Sequence, residues 1–136
     1  MLQIISIGVG KSKMGGILMT ELNYYETLYL IRPDLTEDEL GKVQEKLKEA
    51  IANNEGEIYK SEKWSERNLA YRIGKFTKGV YHILIYKALP SVVTEVEKNL
   101  RFFNTDVLRF MTVRIKKETA LSEKAASEMH LEEGGS

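Results

Sequence analysis

The run Gly10-Lys11-Ser12 is the first place where residue types and spacing could do chemistry, because a lysine and a hydroxyl after a glycine can hold nucleotide phosphates. The complete phosphate-binding loop needs a second glycine five positions before Gly10. Isoleucine stands there, at Ile5, and its side chain would crowd the tight turn. The residues that follow, Lys13 to Gly16, do not open a helix. We therefore do not predict nucleotide binding.

Catalytic and metal-binding sets of residues are also missing from the sequence. The chain has no cysteine and two histidines, of which His82 lies in an alternating strand pattern and His130 lies among glutamates. No carboxylate pair, Ser/His/Asp set or metal-ligand spacing stands out. We predict a protein without enzymatic activity, cofactor, metal or small-molecule substrate. The lack of cysteine fits a reducing cytoplasm. The sequence contains no run of about 18 apolar residues, so it predicts no membrane span.

The stretch Lys78-Gly79-Val80-Tyr81-His82-Ile83-Leu84-Ile85 partly matches the pattern by which RNA-recognition motifs stack bases on a sheet. Only Lys78, Gly79 and Ile83 fit. Other residue types stand where that pattern requires aromatic rings, so this stretch gives a weak signal for single-stranded RNA.

Charge is distributed unevenly along a chain whose formal net charge is +0. Residues 33–56 contain three lysines and seven acidic residues, whereas residues 57–88 contain seven basic and three acidic residues. Residues 89–118 are again basic, and residues 119–136 hold one lysine and four glutamates. This segregation predicts a basic face with acidic surroundings, which suits a phosphate-rich partner better than the total charge does.

The elements that would position these charges form the order βαββαβ. A capping box at Thr36 and Glu39 starts the first helix, which ends near Asn53 to Gly56, and Pro90 starts the second. The strands are predicted at 25–31, 57–73, 80–88 and 107–116, with residues 74–79 as a hairpin loop. This order predicts an α+β, ferredoxin-like fold: a four-stranded antiparallel sheet with two helices on one face.

The other face of that sheet would be open to solvent, yet it too carries apolar residues. Leu28 and Leu30 have opposite parity to the remaining apolar residues of their strand, and the last strand shows the same excess. Antiparallel sheets that face water usually alternate more cleanly. The excess indicates a surface for a partner.

Three blocks of sequence resemble one known family. They are Tyr25 to Leu35, the stretch Lys60 to Ile73 with Arg67-Asn68-Leu69-Ala70-Tyr71-Arg72-Ile73 as its most specific part, and Asp106 to Arg114. In this order they resemble the bacterial small-subunit ribosomal protein S-six family, over Tyr24 to Lys117. The resemblance implies a structural protein of the ribosome in the cytoplasm. It also implies binding to the central domain of 16S ribosomal RNA, together with ribosomal protein S-eighteen.

The basic and aromatic residues of these blocks are the candidates for binding RNA. Lysine and arginine neutralise phosphates, and aromatic rings stack on bases. The predicted RNA-binding residues are Tyr25, Lys60, Lys63, Trp64, Arg67, Arg109 and Arg114. If the strand that contains Leu69 to Ile73 lies at the sheet edge, its backbone could pair with a partner chain. The predicted protein-partner residues are Leu69, Ala70, Tyr71, Arg72 and Ile73.

The sequence divides into a flexible leader (residues 1–22), the ferredoxin-like domain (23–117) and an acidic, disordered tail (118–136). A Gly-Gly pair before Met19 could be translated from a ribosome-loading sequence, so translation is hypothesised to start at Met19. Two other functions stay open at this stage: a free-standing RNA-recognition module and a regulatory ligand-binding domain.

Overall fold

The computed structural model describes residues 13–14, 17–18 and 21–134. Its strands are β1 Lys13–Met14, β2 Ile17–Leu18, β3 Asn23–Ile31, β4 Glu57–Ile73, β5 Phe76–Ala88 and β6 Val107–Ile115, and its helices are α1 Glu37–Ala52, α2 Pro90–Phe102 and α3 Lys117–Gly134. β1 and β2 form an antiparallel pair. The rest of the predicted leader, including the proposed start at Met19, lies almost entirely outside the described residues.

The main sheet has the strand order β4-β5-β3-β6, and every neighbouring pair in it is antiparallel. Because β3 and β5 occupy the centre, each strand-helix-strand unit must cross over a neighbouring strand. This is the βαββαβ arrangement, so the predicted ferredoxin-like fold is confirmed.

Helix α1 begins as its sequence predicts. The Thr36 hydroxyl accepts a hydrogen bond from the backbone N–H of Glu39 at 3.2 Å, and the Glu39 carboxylate accepts one from the backbone N–H of Thr36 at 3.0 Å. After the helix, Glu55 adopts the left-handed conformation with φ 64°. Gly56 is needed for space instead, since a Cβ there would lie 2.7 Å from the Ile51 side chain.

The main core lies between the sheet and one side of α1 and α2. It is built from alternate residues of the central strands, such as Tyr29 and Tyr86, and from one stripe of each helix. That stripe comprises Val43, Leu47 and Ile51 on α1, and Val92, Val96 and Leu100 on α2. Both helices therefore cover the same face of the sheet, as predicted. We call the opposite face the open face.

The predicted disordered tail is a helix, α3, over most of its length. It packs on the open face, where Ala120 is fully buried against Ile83 and Ile85 in a second, smaller cluster. The Glu123 carboxylate lies 2.7 Å from the Lys60 ammonium, and Ser127 donates a hydrogen bond to Glu62 at 3.3 Å. The prediction was wrong because it weighed the acidic charge of the segment and not its many good helix formers, alanine, leucine, glutamate and lysine.

The hairpin between β4 and β5 is also tighter than predicted. Its turn consists of Gly74, with φ 58°, and Lys75, and β5 already begins at Phe76. Residues 76–79 therefore belong to a strand rather than to a loop. Beyond the last β3 pair, Ile31 with Val80, the two strands continue as a two-stranded ribbon.

Candidate nucleic-acid interface

The part of the open face that α3 leaves uncovered contains a shallow depression of about 570 Å³. Its walls come from four strands, because β-sheet register brings together residues that are distant in sequence. Leu28 pairs with Met111, and Leu30 lies between Tyr81 and Arg109. The lining residues are Leu28, Trp64, Tyr81, Arg109, Phe110 and Met111. Two of them are strongly exposed for their size, Trp64 at 53% and Met111 at 59%.

Trp64 contacts two neighbours on this surface, Tyr81 and Arg67. A register irregularity between Lys63 and Ser65 places the indole next to Tyr81, with an edge-on contact at 5.8 Å between ring centroids. The Arg67 guanidinium carbon lies 5.4 Å from the ring centroid, and Arg67 Nε donates a hydrogen bond to the Ser65 hydroxyl at 2.9 Å. The indole thus combines an apolar surface with an adjacent cation, a combination that suits stacking on a base beside a phosphate.

Arg67 and Arg109 supply positive charge to the rim of the depression. Both side chains are exposed, and among the described residues neither has a carboxylate within 4.0 Å. Their charge is therefore available to an incoming anion. Together with Trp64, these arginines are the three predicted RNA-binding residues that the structure brings to one surface.

The other predicted RNA-binding residues do not join this surface. Lys60 forms ion pairs with Glu123 at 2.7 Å and Glu62 at 3.4 Å, and its side chain is only 14% exposed. Lys63 pairs in register with His82, which faces the helices, and its ammonium lies 3.1 Å from the Glu66 carboxylate. Neither lysine presents an unpaired charge to the depression.

Tyr25 and Arg114 pair in register and lie on the helix-covered face. Tyr25 is 7% exposed and belongs to the main core, and this burial raises the pKa of its phenol. The prediction that its ring stacks on RNA is wrong, because odd-numbered residues of β3 point towards the helices. Arg114 is exposed on the same side, away from Trp64.

The predicted protein-partner segment occupies the end of β4, which is an edge strand of the sheet, so the condition for backbone pairing is met. Its side chains are mostly exposed. Leu69 and Ile73 are half-buried, whereas Ala70, Tyr71 and Arg72 are exposed. None of the five belongs to a core cluster of the described chain.

Four residues that line the depression were not among the sequence-based candidates: Leu28, Tyr81, Phe110 and Met111. Met111 was part of the apolar excess on the last strand, but its neighbours in the sequence do not distinguish an exposed methionine from a core residue. Tyr81 lies within the partly matched RNA-recognition pattern, at a position where that pattern has glycine or alanine, so its ring did not count as a match. The strand register places these residues near Trp64, and the register could not be read from the sequence patterns.

His82 is a buried titratable group outside this surface. It is 4% exposed, stacks on Tyr29 with ring centroids 5.5 Å apart, and its Nδ1 has no hydrogen-bond partner among the described residues. Burial, and secondarily the charge of Lys63, lowers the pKa of His82 below its ordinary value of 6.5. The neutral ring is therefore a packing element of the core.

Acid is expected to destabilise the protein partly through His82. The unfolded chain takes up a proton near the ordinary histidine pKa of about 6.5 while the folded chain resists it, so the free energy of unfolding falls as pH drops below that value. His82→Phe keeps an aromatic ring next to Tyr29 and removes the proton. Urea unfolding at about pH 5 and pH 7.5 should show a smaller pH-dependent loss in this variant. An equal loss in both proteins would contradict the assignment.

No cluster of potential metal ligands occurs in the part of the chain that the structure describes, and no helix there is long and apolar enough to cross a membrane. What the geometry does provide is a sheet with an exposed aromatic and apolar surface, bordered by two arginines that have no carboxylate partner among the described residues. This surface has the features of a binding site, and the fold defines the class of protein as an α+β domain of ferredoxin-like architecture.

Comparison with known proteins identifies the family. Residues 24–114 match the family model described as Ribosomal protein S6. The small ribosomal subunit protein bS6 of Geotalea uraniireducens is 35% identical over 101 residues, covering 74% of this chain and 78% of that protein, and that of Geobacter metallireducens is 38% identical over 96 residues, covering 71% and 80%. The crystal structure of 30S ribosomal protein S6 from Thermotoga maritima superposes with a TM-score of 0.62 at 27% identity, covering 78% of this chain and 98% of that one.

The chain belongs to the ribosomal protein S6 family. This confirms the resemblance noted in the sequence and the prediction of a structural, non-enzymatic protein of the small ribosomal subunit, located on the ribosome in the cytoplasm. The alternatives of a free-standing RNA-recognition module and of a regulatory ligand-binding domain give way to this membership.

Proposed function

We propose that this protein binds the central domain of 16S ribosomal RNA, together with ribosomal protein S-eighteen, and helps to hold that RNA in its folded form. The observation that carries the proposal is the meeting of Trp64, Arg67 and Arg109 on one exposed surface, where the arginines lack carboxylate partners among the described residues. Family membership supports the small subunit as the setting.

The chemistry of this surface suits attachment to folded RNA. Arginines that neutralise phosphates release bound counterions, which gives affinity with a steep dependence on salt and little reading of sequence. Trp64 adds a stacking surface for a base or ribose, worth about 1–3 kcal/mol if the contact forms.

The partner protein has a separate place in this proposal. We assign ribosomal protein S-eighteen to the end of β4, from Leu69 to Ile73, because this is an edge strand whose outer backbone groups face no other strand of the sheet. A strand added there would gain backbone hydrogen bonds without disturbing the core. The open face would remain available to RNA.

Replacing both arginines, Arg67→Gln and Arg109→Gln, should weaken binding to a central-domain fragment of 16S RNA and lower the slope of log affinity against log salt by about one per arginine. Filter binding over a range of potassium concentrations measures both quantities. Lys42→Gln with Lys48→Gln is the matched control, since these exposed lysines lie on α1, on the opposite side of the sheet. Equal slopes for the two double variants would refute the open face as the RNA-binding surface.

A further inference from the structure

The ribbon formed by residues 67–79, which we call the hairpin arm, extends past the part of the sheet that the helices cover. β3 ends at Ile31, which pairs with Val80, so no third strand pairs with the arm. The tip of the arm lies beside the loop that contains Asp34 and the segment that precedes β6. The pairing within the arm is irregular: Asn68 pairs with Lys78, and the next pair is Ile73 with Phe76. Residues 69–72 therefore bulge from β4 opposite the single residue Thr77.

The arm is uniformly basic. It contains Arg67, Arg72, Lys75 and Lys78, and no aspartate or glutamate occurs from residue 67 to residue 94. Among the described residues, none of these four side chains has a carboxylate within 4.0 Å. Lys75 acts on Asp34 only at longer range, where its charge contributes to lowering the pKa of that carboxyl. Unpaired cations on a narrow ribbon repel one another and are stabilised by an anionic partner.

Tyr71 lies at the bulge with 83% of its surface exposed, although comparable aromatic residues of the sheet, such as Tyr29 and Tyr86, are buried. The ring contributes to no core cluster and to no aromatic pair in the described chain. Arg72 is its exposed neighbour. An aromatic ring presented in this way, between cations, has the features of a stacking residue for a nucleic-acid base.

We propose that the hairpin arm is a second RNA-binding element, in which Arg72, Lys75 and Lys78 contact phosphates and Tyr71 stacks on an unpaired base. The inference rests on the proposed function in one respect, because it requires that the protein binds ribosomal RNA. It extends the binding surface from the open face, through Arg67, to a segment assigned until now to the protein partner alone. Because a stacked base must leave its helix, the target is a loop, bulge or junction rather than a continuous duplex.

RNA fits the arm better than a protein does because every charge on the arm has the same sign. A partner strand along β4 would use backbone N–H and C=O groups, and the side chains would stay above and below the ribbon. The two partners are therefore compatible, and measurements on RNA and on the partner protein can be separated.

The test uses the full chain and a central-domain fragment of 16S RNA. The variant Arg72→Gln/Lys75→Gln/Lys78→Gln should bind this RNA more weakly, with a salt slope lowered by about three. Its matched control is Lys42→Gln/Lys46→Gln/Lys48→Gln on α1, which removes the same charge and should leave the slope unchanged. Tyr71→Ala should lower affinity by about 5- to 150-fold with an unchanged slope, the range that corresponds to one stacked base. Urea midpoints verify that all variants are folded.

Two results would overturn the inference. The arm variant could bind RNA as tightly as its control, or Tyr71→Ala could weaken binding to ribosomal protein S-eighteen while leaving RNA affinity unaltered. If the arm variants behave as the wild type while Arg67→Gln/Arg109→Gln loses affinity, the arm is excluded and the proposed function stands. If the unaltered protein, with or without ribosomal protein S-eighteen, fails to bind the RNA at low salt, the proposed function itself fails.

Discussion

Replacement of Leu100 by alanine is expected to lower the free energy of unfolding by about 2–5 kcal/mol, the range for a buried leucine truncated in a packed core. Leu100 is 1% exposed and belongs to the α2 stripe that packs on the helix-covered face of the sheet. Its removal leaves a cavity between α2 and β-strands that cannot move together without breaking sheet hydrogen bonds. Urea unfolding followed by circular dichroism measures the loss.

Leu121→Ala is the matched control, since it makes the same chemical change on α3. Leu121 is 44% exposed, and the buried contact of α3 with the sheet is made by Ala120. A loss within about 0.5–1 kcal/mol is expected there, because exposed substitutions away from the core have small effects. Comparable losses for the two variants would show that α3 is part of the main core rather than an addition to the open face.

The fold was predictable because local signals and the hydrophobic pattern agree. The capping box at Thr36 and the proline at position 90 locate the helix starts within the chain, and β-rich segments lie between them. Once the order βαββαβ is established, few sheets are possible, since connections are short and crossovers have one hand. The observed strand order is the one this reasoning selects.

The two errors in the predicted fold, the disordered tail and the long hairpin loop, have one physical origin. Local sequence patterns reflect composition and do not show contacts between distant residues. Among residues 117–128, for which burial is described, α3 has one fully buried residue, Ala120, so these residues show no apolar stripe from which a docked helix could be recognised. Its attachment depends on pairs such as Glu123 with Lys60, which are 63 residues apart. Similarly, the extension of β5 to Phe76 depends on pairing with β4 and not on the propensities of Lys78 and Gly79.

The candidate site was predicted only in part for a related reason. A basic residue in a strand carries no sign of which face it occupies until the register is known. Arg109 and Arg114 both lie on β6, five residues apart, and their opposite parity places them on opposite faces. Lys60 shares the open face with Arg67, but α3 neutralises its charge. On the open face, the predicted RNA-binding residues whose charge stays available are Arg67 and Arg109, which do not pair with α3.

Thr27→Val is expected to lower the free energy of unfolding by about 1–3 kcal/mol, the cost of leaving buried polar groups without a partner. Thr27 is fully buried, and its hydroxyl lies 3.0 Å from the Tyr86 hydroxyl and 2.7 Å from that of Thr112. This chain of hydroxyls joins β3, β5 and β6 within the core. Burial raises the pKa of Tyr86 to about 12, so the phenol keeps its proton at neutral pH and can serve as a donor.

A double-mutant cycle separates this hydrogen-bond chain from simple packing. Tyr86→Phe alone leaves the bond between Thr27 and Thr112 intact, so it should cost less than Thr27→Val. The double variant removes both ends of the Thr27–Tyr86 bond, and its loss should be smaller than the sum of the single losses by more than about 0.5 kcal/mol. Thr94→Val, on the exposed side of α2, makes the same change without a buried partner and should be nearly neutral. Additive losses in the cycle would mean that the two hydroxyls stabilise the core independently, and the three central strands would then be held together by their apolar side chains and backbone alone.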